Sequence, residues 1–351
     1  MRKNILLTCF SIVISLLGIE LAIRFTGKFK TYTESTGKSY TSYWGFQSPG
    51  WYWTHTPNTT YLEKNSEFSY QNKYNSFGHR ELEPVRLFNT NSCRAVVLGD
   101  SYVEGVGVPY DSSLTRFLDN FASRDSIPVR FYNAGVAGSD PFYSYSWLRD
   151  HLTSLHPNLI IVAINPSDYS DYVFRGGFER FHSDGTTRFK EKPGIEFFFR
   201  YSHIVRLLMS ANGYAGETFL RVEDYIQAQE KAHLAFLALA DSFKTLATKS
   251  NTNLAFFLHP NRIQDLCNTN FNSKVVMTQL EYDLQKQHCK VFNVYHPMDS
   301  LIQENNMLQF GYPIDGHYNA TGYQLMAQQL YLQLLENKMI SKEHSCKSVT
   351  D

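Results

Sequence analysis

The sequence predicts an α/β fold in which a parallel sheet lies between two layers of helices. Short, wholly apolar runs recur along the chain, as is typical of parallel strands that are buried on both faces. Segments of helical periodicity separate these runs, and this alternation favours a doubly wound sheet that binds ligands beyond the carboxyl ends of its strands. The predicted strands are Ala95–Leu98, Val129–Tyr132, Leu159–Ile164, Leu254–Leu258 and Val291–Val294.

The intervals between these strands are predicted to be helical. The predicted helices are Leu114–Ala122 after the caps Ser112 and Ser113, Tyr143–Leu155, Glu217–Ala247, Lys274–Gln287 and Tyr323–Leu335. An insertion of about residues 172–216 follows the third strand and contains the aromatic runs Phe178–Phe181 and Phe197–Tyr201. Because it follows the carboxyl end of a strand, it is placed either to form a lid or substrate wall, or to cover the core.

The first 27 residues predict a membrane helix. Arg2 and Lys3 precede an apolar run, Ile5–Ile19, which Glu20 interrupts and which continues as Leu21–Ile23 before Arg24. The run has roughly the length that spans a bilayer, and its positive flank is expected to stay in the cytoplasm. No small-residue cleavage motif follows, which favours an uncleaved anchor over a removed signal peptide, with a buried core helix as the remaining alternative. The rest of the chain is then expected outside the cytoplasm, in the periplasm of a Gram-negative cell.

The chain is accordingly divided into an anchor of residues 1–27, an extension of residues 28–85, a main domain of residues 86–340 and a polar tail of residues 341–351. The extension is rich in Tyr, Trp and Phe without a helical period. We expect these aromatic side chains to pack on the main domain, and a sugar-binding platform is the alternative interpretation.

Charge and cysteine content restrict the function classes. The 33 Lys and Arg residues balance the 33 Asp and Glu residues, so nothing indicates a nucleic-acid surface. Cys9 lies in the apolar run, and an extracytoplasmic location permits disulfides among the other four cysteines, for which Cys267–Cys289 is the expected pair. No C-x-x-C motif occurs, and neither a metal nor a cofactor is predicted. The oligomeric state stays open.

The tripeptide Gly99-Asp100-Ser101 follows the first predicted strand of the sheet. Glycine permits a tight turn there, and the serine that follows has its hydroxyl at the ligand edge and its backbone N–H available to an oxyanion. The same tripeptide is also an ordinary turn sequence. Taken with a suitable base, Ser101 is a candidate nucleophile.

A candidate base precedes the last predicted helix, in Asp315-Gly316-His317. Histidine is the usual general base for a serine hydroxyl, and it needs a partner that holds its tautomer. The spacing lets the Asp315 carboxylate reach Nδ1 while Nε2 faces the serine. The alternative makes Asp315 part of a turn and His317 a cap of the helix. Ser101 and His317 lie far apart in sequence, so only the fold can bring them together.

Together these motifs resemble the blocks of the SGNH (GDSL-like) hydrolase family, in particular its membrane-anchored members associated with bacterial surface polysaccharides. The resemblance extends over about residues 75–335. It is carried by Asn75-Ser76-Phe77-Gly78-His79-Arg80, Gly99-Asp100-Ser101 with Glu104-Gly105-Val106-Gly107-Val108, Asn133-Ala134-Gly135-Val136-Ala137-Gly138, and Asp315-Gly316-His317-Tyr318-Asn319-Ala320-Thr321-Gly322.

The resemblance implies a flavodoxin-like three-layer fold and a triad of Ser101, His317 and Asp315. It also implies an oxyanion hole that includes the backbone N–H groups of Ser101 and Gly138. The family's third block has an Asn-Asp pair, whereas this sequence has Asn165-Pro166-Ser167-Asp168. Alignment on Asp168 puts Ser167 at the position of the Asn, and Asn165, two residues earlier, is the alternative donor to the oxyanion.

The expected function is therefore that of a serine esterase or acyltransferase acting on O-acyl groups, most simply O-acetyl groups, of an extracytoplasmic glycan. Two other functions stay open at this stage. A non-catalytic member of the same fold would serve as a glycan-binding or assembly scaffold, and a lipase-like hydrolase would use the Phe197–Phe199 run as an apolar lid. The sequence does not predict the residues that bind the substrate.

Overall fold

The computed structural model describes residues 2–27, 54–88, 92–181, 194–214, 219–261, 273–303 and 309–342. The chain divides into two compact units. The smaller unit contains Met1–Trp44 and Phe189–Glu230, and the larger unit contains Gly45–Arg188 and Lys231–Asp351. Most of the predicted polar tail and most of the aromatic residues before Thr54 lie outside the described residues. The division of the chain expected from the sequence stays a prediction.

The elements are numbered here in chain order. The described strands are β1 Thr60–Lys64, β2 Ser69–Lys73, β3 Cys93–Gly99, β4 Val129–Gly135, β5 Leu159–Ile164, β6 Asn253–Leu258 and β7 Val291–Asn293. The described helices are α1 Arg2–Phe25, α2 Pro84–Leu87, α3 Ser101–Glu104, α4 Leu114–Arg124, α5 Pro141–Leu155, α6 Ser167–Arg175, α7 Glu196–Tyr201, α8 His203–Ala211, α9 Val222–Lys249, α10 Ser273–Lys286, α11 Tyr295–Gln303 and α12 Ala320–Glu336.

Five strands of the larger unit form a parallel sheet in the order β4-β3-β5-β6-β7. In order of appearance along the chain this is 2-1-3-4-5, the flavodoxin-like order of a doubly wound sheet. The predicted fold class is confirmed, and each predicted strand and helix of this domain is present with other bounds at most ends. The largest change is in the helix predicted from Glu217, which begins at Val222; Glu217 itself lies outside the described residues. β3 lies between β4 and β5, so the order of the strands changes direction at β3. The crevice of this fold therefore lies beyond the carboxyl end of β3.

Two hydrophobic layers hold the sheet. Ala95 and Val97 of β3 belong to the core on one face, which α4 and α12 cover. Val96 and Leu98 point to the other face and pack in the core that α5, α10 and the part of α9 after Lys231 cover. All four side chains are fully buried. Because both faces of β3 are covered, only its carboxyl end remains to present polar groups to a ligand.

The described part of the extension forms an antiparallel hairpin, β1–β2, on the larger unit. Its aromatic side chains are tied to the segment after the Ser101 turn. The Tyr70 hydroxyl accepts a hydrogen bond from the backbone N–H of Gly107 at 2.8 Å, and the Tyr74 hydroxyl donates to Glu104 at 3.0 Å. Both tyrosines are buried. For these two residues, packing on the main domain is the arrangement observed.

The expected Cys267–Cys289 disulfide is wrong, because Cys289 is a free thiol. Cys289 follows α10 and is half-buried, and burial raises the pKa of its thiol. Cys93, at the start of β3, is disulfide-bonded, and its partner lies outside the described residues.

The smaller unit contains α1, α7 and α8. Residues Lys3–Phe25 of α1 form a helix that is long and apolar enough to cross a membrane, and its apolar side chains are exposed. α7 and α8 follow each other with only Ser202 between them. The aromatic run Phe197–Tyr201 of the insertion thus belongs to the same compact unit as the apolar helix.

Candidate active site

The turn after β3 places Ser101 at the first position of a short helix, α3. Asp100 caps this helix, and its carboxylate accepts a hydrogen bond from the backbone N–H of Tyr102 at 3.0 Å. A Cβ on Gly99 would lie 2.5 Å from Cγ2 of Val103, so the close approach of strand and helix requires glycine there. Ser101 is therefore fixed at the carboxyl end of the sheet, with its backbone N–H among the unpaired donors of a helix start.

Ser101, His317 and Asp315 form a continuous hydrogen-bonded chain. The Nε2 atom of His317 lies 2.8 Å from Oγ of Ser101, and Nδ1 of His317 lies 2.5 Å from Oδ1 of Asp315. A carboxylate only accepts hydrogen bonds, so Asp315 holds the proton on Nδ1 and leaves Nε2 to accept from the serine hydroxyl. The side chains of His317 and Asp315 are 21% and 23% exposed, which leaves the pair accessible from one side.

His317 does not cap the last helix. That role belongs to Asn319, whose side-chain oxygen accepts from the N–H groups of Thr321 and Gly322 at 3.0 and 3.1 Å. The helix therefore begins at Ala320, three residues before the predicted start. The ring of Tyr102 lies 4.8 Å from that of His317 and holds the imidazole on one side. The imidazole is thus left to face Ser101.

The loop that carries Asp315 is fastened by the turn of the β1–β2 hairpin. Nδ2 of Asn65 donates to Oδ2 of Asp315 at 3.2 Å. The Glu67 carboxylate accepts from the backbone N–H groups of Ile314 and Asp315 at 3.0 and 2.6 Å. Sequence reasoning missed Asn65 and Glu67, because nothing in a polar hairpin turn indicates that it contacts a loop some 250 residues later.

Gly138 lies in the turn after β4, with a positive φ of 77° that favours glycine. This turn is joined to the Ser101 turn, since the Ser139 hydroxyl donates to the carbonyl of Gly99 at 2.9 Å. The Arg175 guanidinium donates to the carbonyl of Gly138. Among the residues that the structure describes, no acceptor pairs with the backbone N–H of Ser101 or of Gly138. Both are available to a ligand.

The structure distinguishes Asn165 from Ser167 by their hydrogen bonds. Nδ2 of Asn165 donates to Asp100 at 2.9 Å, directly beside the Ser101 turn. The Ser167 hydroxyl donates to Oδ1 of Asn165 at 2.6 Å, and its backbone N–H donates to the same atom at 2.9 Å. Asn165 is buried and keeps a second amide hydrogen, whereas the hydroxyl hydrogen of Ser167 is already used.

Buried carboxylates surround this corner of the sheet. Burial, with repulsion from Asp100, raises the pKa of Asp168 well above its ordinary value. Burial also raises the pKa of Asp171 to about 7, although Arg175 at 3.0 Å opposes the shift. Burial acts in the same direction on Asp140, but its ion pair with Arg180 lowers the pKa of that carboxyl overall.

His259 is a further histidine near this corner of the sheet. Within the described ranges, no cluster of three His, Cys, Asp or Glu side chains is arranged to hold a metal ion. His259 directly follows β6 and is fully buried, with Nδ1 at 3.0 Å from the carbonyl of Pro260. Burial lowers the pKa of His259 despite the nearby charge of Asp100, which fits a structural, neutral histidine.

Several solved structures are similar to this chain. An α/β hydrolase enzyme from the metagenome of Lake Arreo, Spain, is 14% identical, with 70% of this chain and 95% of that chain covered at a TM-score of 0.44. An acetyl xylan esterase is 10% identical, with 68% and 98% covered at a TM-score of 0.42. A member of the lipolytic protein G-D-S-L family from Veillonella parvula is 15% identical, with 70% and 97% covered at a TM-score of 0.39.

No protein-family model matches the sequence, and no curated protein is significantly similar to it.

Proposed function

We propose that this chain is a serine ester hydrolase of the SGNH type, with Ser101 as nucleophile, His317 as general base and Asp315 as the residue that orients the base. The observation that carries the proposal is the hydrogen-bonded chain from Ser101 through His317 to Asp315. The three groups come from the end of β3 and from the loop before α12, and their geometry is that of an activated serine nucleophile.

In the first half of the reaction, Oγ of Ser101 attacks the ester carbonyl carbon while Nε2 of His317 takes the hydroxyl proton. The carbonyl π bond opens, and the carbonyl oxygen becomes an oxyanion. When the tetrahedral intermediate collapses, the bond to the alcohol oxygen breaks, and His317 returns the proton to the leaving alcohol. Asp315 stabilises the imidazolium that exists between these two events. The acyl group is then esterified to Ser101.

The oxyanion is stabilised in this proposal by the backbone N–H groups of Ser101 and Gly138 and by the side-chain amide of Asn165. All three come from turns at the carboxyl ends of neighbouring parallel strands, β3, β4 and β5. Ser167 acts indirectly, because its hydroxyl and backbone N–H donate to Oδ1 of Asn165 and so orient that side chain. The departure from the family's third block thus leaves a side-chain amide close to the site.

In the second half, His317 removes a proton from water or from an acceptor hydroxyl, which attacks the acyl-enzyme. Hydrolysis releases a carboxylic acid, and transfer yields a new ester. The substrate proposed is an O-acyl group, most simply an O-acetyl group, of an extracytoplasmic glycan. This part of the proposal is supported by the apolar helix α1, which is suited to a single-pass anchor with the larger unit outside the cytoplasm.

The test uses the full-length chain in detergent micelles with an aryl acetate, and follows the release of the phenol and of acetate. The variants Ser101→Ala and His317→Ala are expected to lower kcat/KM by at least about 10⁴-fold. The matched controls are Ser123→Ala and His296→Ala, which replace the same residue types at exposed positions and should keep full activity.

A fluorophosphonate gives an independent readout of the same nucleophile. Oγ of Ser101 displaces fluoride from phosphorus, so the wild type gains the mass of the phosphonyl group and Ser101→Ala does not. A wild type that neither hydrolyses the ester nor reacts with the fluorophosphonate would overturn the proposal in favour of a non-catalytic scaffold. Reaction with the fluorophosphonate without hydrolysis would point to a transferase that needs its own acceptor.

A further inference from the structure

The smaller unit exposes an unusual amount of apolar surface on α7 and α8. A folded surface in water seldom keeps such large apolar side chains side by side, and such patches mark contacts with proteins or membranes. Phe197 also packs edge-on against both Phe198 and Tyr201, at ring distances of 5.5 and 5.4 Å. The exposed side chains, each between 45% and 64% accessible, are Ile195, Phe197, Phe198, Tyr201 and Leu208.

The start of α8 is bound to α1 through Glu20, the one acidic residue of that apolar helix. The Glu20 carboxylate accepts from the hydroxyl of Ser202 and from the backbone N–H groups of His203 and Ile204, at 2.7 to 3.0 Å. It also lies 2.8 Å from Nδ1 of His203, whose side chain is buried. The carboxylate thus satisfies the N–H groups that every helix start leaves unpaired.

These contacts make α1 an integral part of a folded unit. Removal of α1 would leave the N–H groups at the start of α8 and the buried His203 without their acceptor, at a free-energy cost. The contacts also fix the position along α1 at which α8 begins. Glu20 lies about 7.5 Å before the end of the helix at Phe25, at 1.5 Å per residue. In a spanning helix with its basic N-terminal flank in the cytoplasm, Glu20 lies near the far end of the span.

We propose that α7 and α8 lie in the interfacial region of the lipid bilayer that α1 crosses, with their exposed apolar side chains inserted among the lipids. The inference rests on the proposed insertion of α1 and adds a second lipid contact, held at a fixed depth by Glu20. Lipid is favoured as the occupant because the exposed apolar side chains of α1, α7 and α8 belong to one compact unit, in which Glu20 binds α1 to the start of α8. Phe and Tyr side chains also suit the boundary between headgroups and acyl chains.

The experiment places p-benzoylphenylalanine in the full-length chain at Phe197 or Phe198 and reconstitutes it into phosphatidylcholine and phosphatidylglycerol vesicles. Irradiation inserts the ketone carbon into a nearby C–H bond, and mass spectrometry identifies a lipid adduct. The chain provides two matched aromatic controls. Phe10 of α1 is 62% exposed and should give the adduct, whereas Tyr282 of α10, which is 53% exposed in the larger unit, should not.

Adducts at positions 10, 197 and 198 and none at 282 are the expected result. Adducts at position 10 alone would overturn the inference and leave the α1 anchor standing. Crosslinks from 197 or 198 to protein instead of lipid would also overturn it, in favour of a partner or a second copy. If no position gives a lipid adduct, the proposed anchor fails together with the inference, whereas the ester hydrolysis proposed above is measured separately.

The variant Glu20→Ala tests whether Glu20 fixes α8. It removes the acceptor of the bonds at the start of α8 and keeps the rest of α1. The lipid adduct at position 198 should fall roughly tenfold, while that at position 10 stays at its original level. An undiminished adduct at position 198 would contradict the role of Glu20 in setting the depth of the two helices.

Discussion

The two loops that meet at the candidate active site are held in different ways. The Ser101 turn is fastened by its own sheet, through the Asp100 cap, the Gly99 packing and bonds to turns that follow adjacent strands. In the described part of the chain, the element that precedes the loop with Asp315 and His317 is α11, and the β1–β2 hairpin adds hydrogen bonds to this loop from outside the sheet. The proposed nucleophile is therefore held by the core of the fold, whereas the loop of the proposed base receives further hydrogen bonds from the N-terminal extension.

Among the variants that compare these two loops, Asp315→Asn is expected to lower kcat the most. The amide presents a donor or a weaker acceptor to Nδ1, which disturbs the tautomer that leaves Nε2 free to accept the Ser101 proton. We expect kcat on an aryl acetate to fall by about 10³–10⁴-fold with little change in KM. The reaction of Ser101 with a fluorophosphonate should slow as well. A loss of less than tenfold would show that His317 does not need the carboxylate.

Around the Ser101 turn, Asn165→Ala is expected to lower kcat more than any substitution other than that of Ser101. Loss of one side-chain donor to an oxyanion typically costs about 10²–10³-fold in kcat. Ser167→Ala is the matched comparison, because it removes only a hydroxyl that donates to Asn165, and we expect less than about tenfold from it. Steady-state kinetics and a melting curve of each variant test this. A larger loss in Ser167→Ala would reverse the assignment.

These two residues also show how far the sequence could predict the site. Ser101, His317 and Asp315 are predicted as a triad only when their motifs are taken together, and the buried runs of β3 and β5 predict the sheet that positions Ser101. The choice between Asn165 and Ser167 depends on how the loop around Pro166 turns, which no motif specifies. The start of α12 was predictable, since Asn319, four positions before the predicted start, is a good N-cap residue.

The hydrogen bonds from the β1–β2 hairpin to the loop of Asp315 could not be predicted from the sequence, for a physical reason. Asn65 and Glu67 form an ordinary polar turn, in which Oδ1 of Asn65 accepts from the N–H groups of Glu67 and Phe68. The polar groups of such a turn find hydrogen-bond partners within the turn. Its second role, the contact with Asp315, appears only in the folded chain. The free Cys289 is a similar case, because the pairing of cysteines depends on distances in space that spacing along the chain does not give.

A substitution in the β1–β2 hairpin is expected to have an intermediate effect on kcat. Glu67→Gln replaces one of the two carboxylate oxygens that hold the N–H groups of Ile314 and Asp315 by an NH₂ group, which is itself a donor. We expect kcat to fall about tenfold with KM unchanged, since a hydrogen bond to a charged group is worth about 1.5–3 kcal/mol. Ser66→Ala, in the same turn and exposed, is the control.

A merely structural role of the hairpin would lower the melting temperature and leave kcat per folded molecule unchanged. Glu67→Asp, which keeps the charge, should recover part of the lost activity. If Glu67→Gln retains the wild-type kcat, the loop holds its geometry without the hairpin, and the contrast between the two sides of the site is lost.

The smallest effect is expected on the side of the nucleophile, from the ion pair behind Gly138. Asp171 binds Arg175 at 3.0 Å, and Arg175 donates to the Gly138 carbonyl. Burial raises the pKa of Asp171 in the folded chain to about 7, from an ordinary value of 3.8. The folded state therefore binds this proton more tightly than the unfolded state does. The stabilisation is complete below about pH 4 and is lost as the pH rises to about 7.

Asp171→Asn removes this titration, because the amide stays neutral. The melting temperature of the wild type minus that of the variant should therefore decrease by several degrees between pH 5 and pH 8. Asp241→Asn removes an exposed carboxylate and should show no such trend. A difference that stays constant with pH would mean that Asp171 is ionised throughout this range. Its charge would then hold Arg175, and through it the Gly138 turn, at every pH at which the site works.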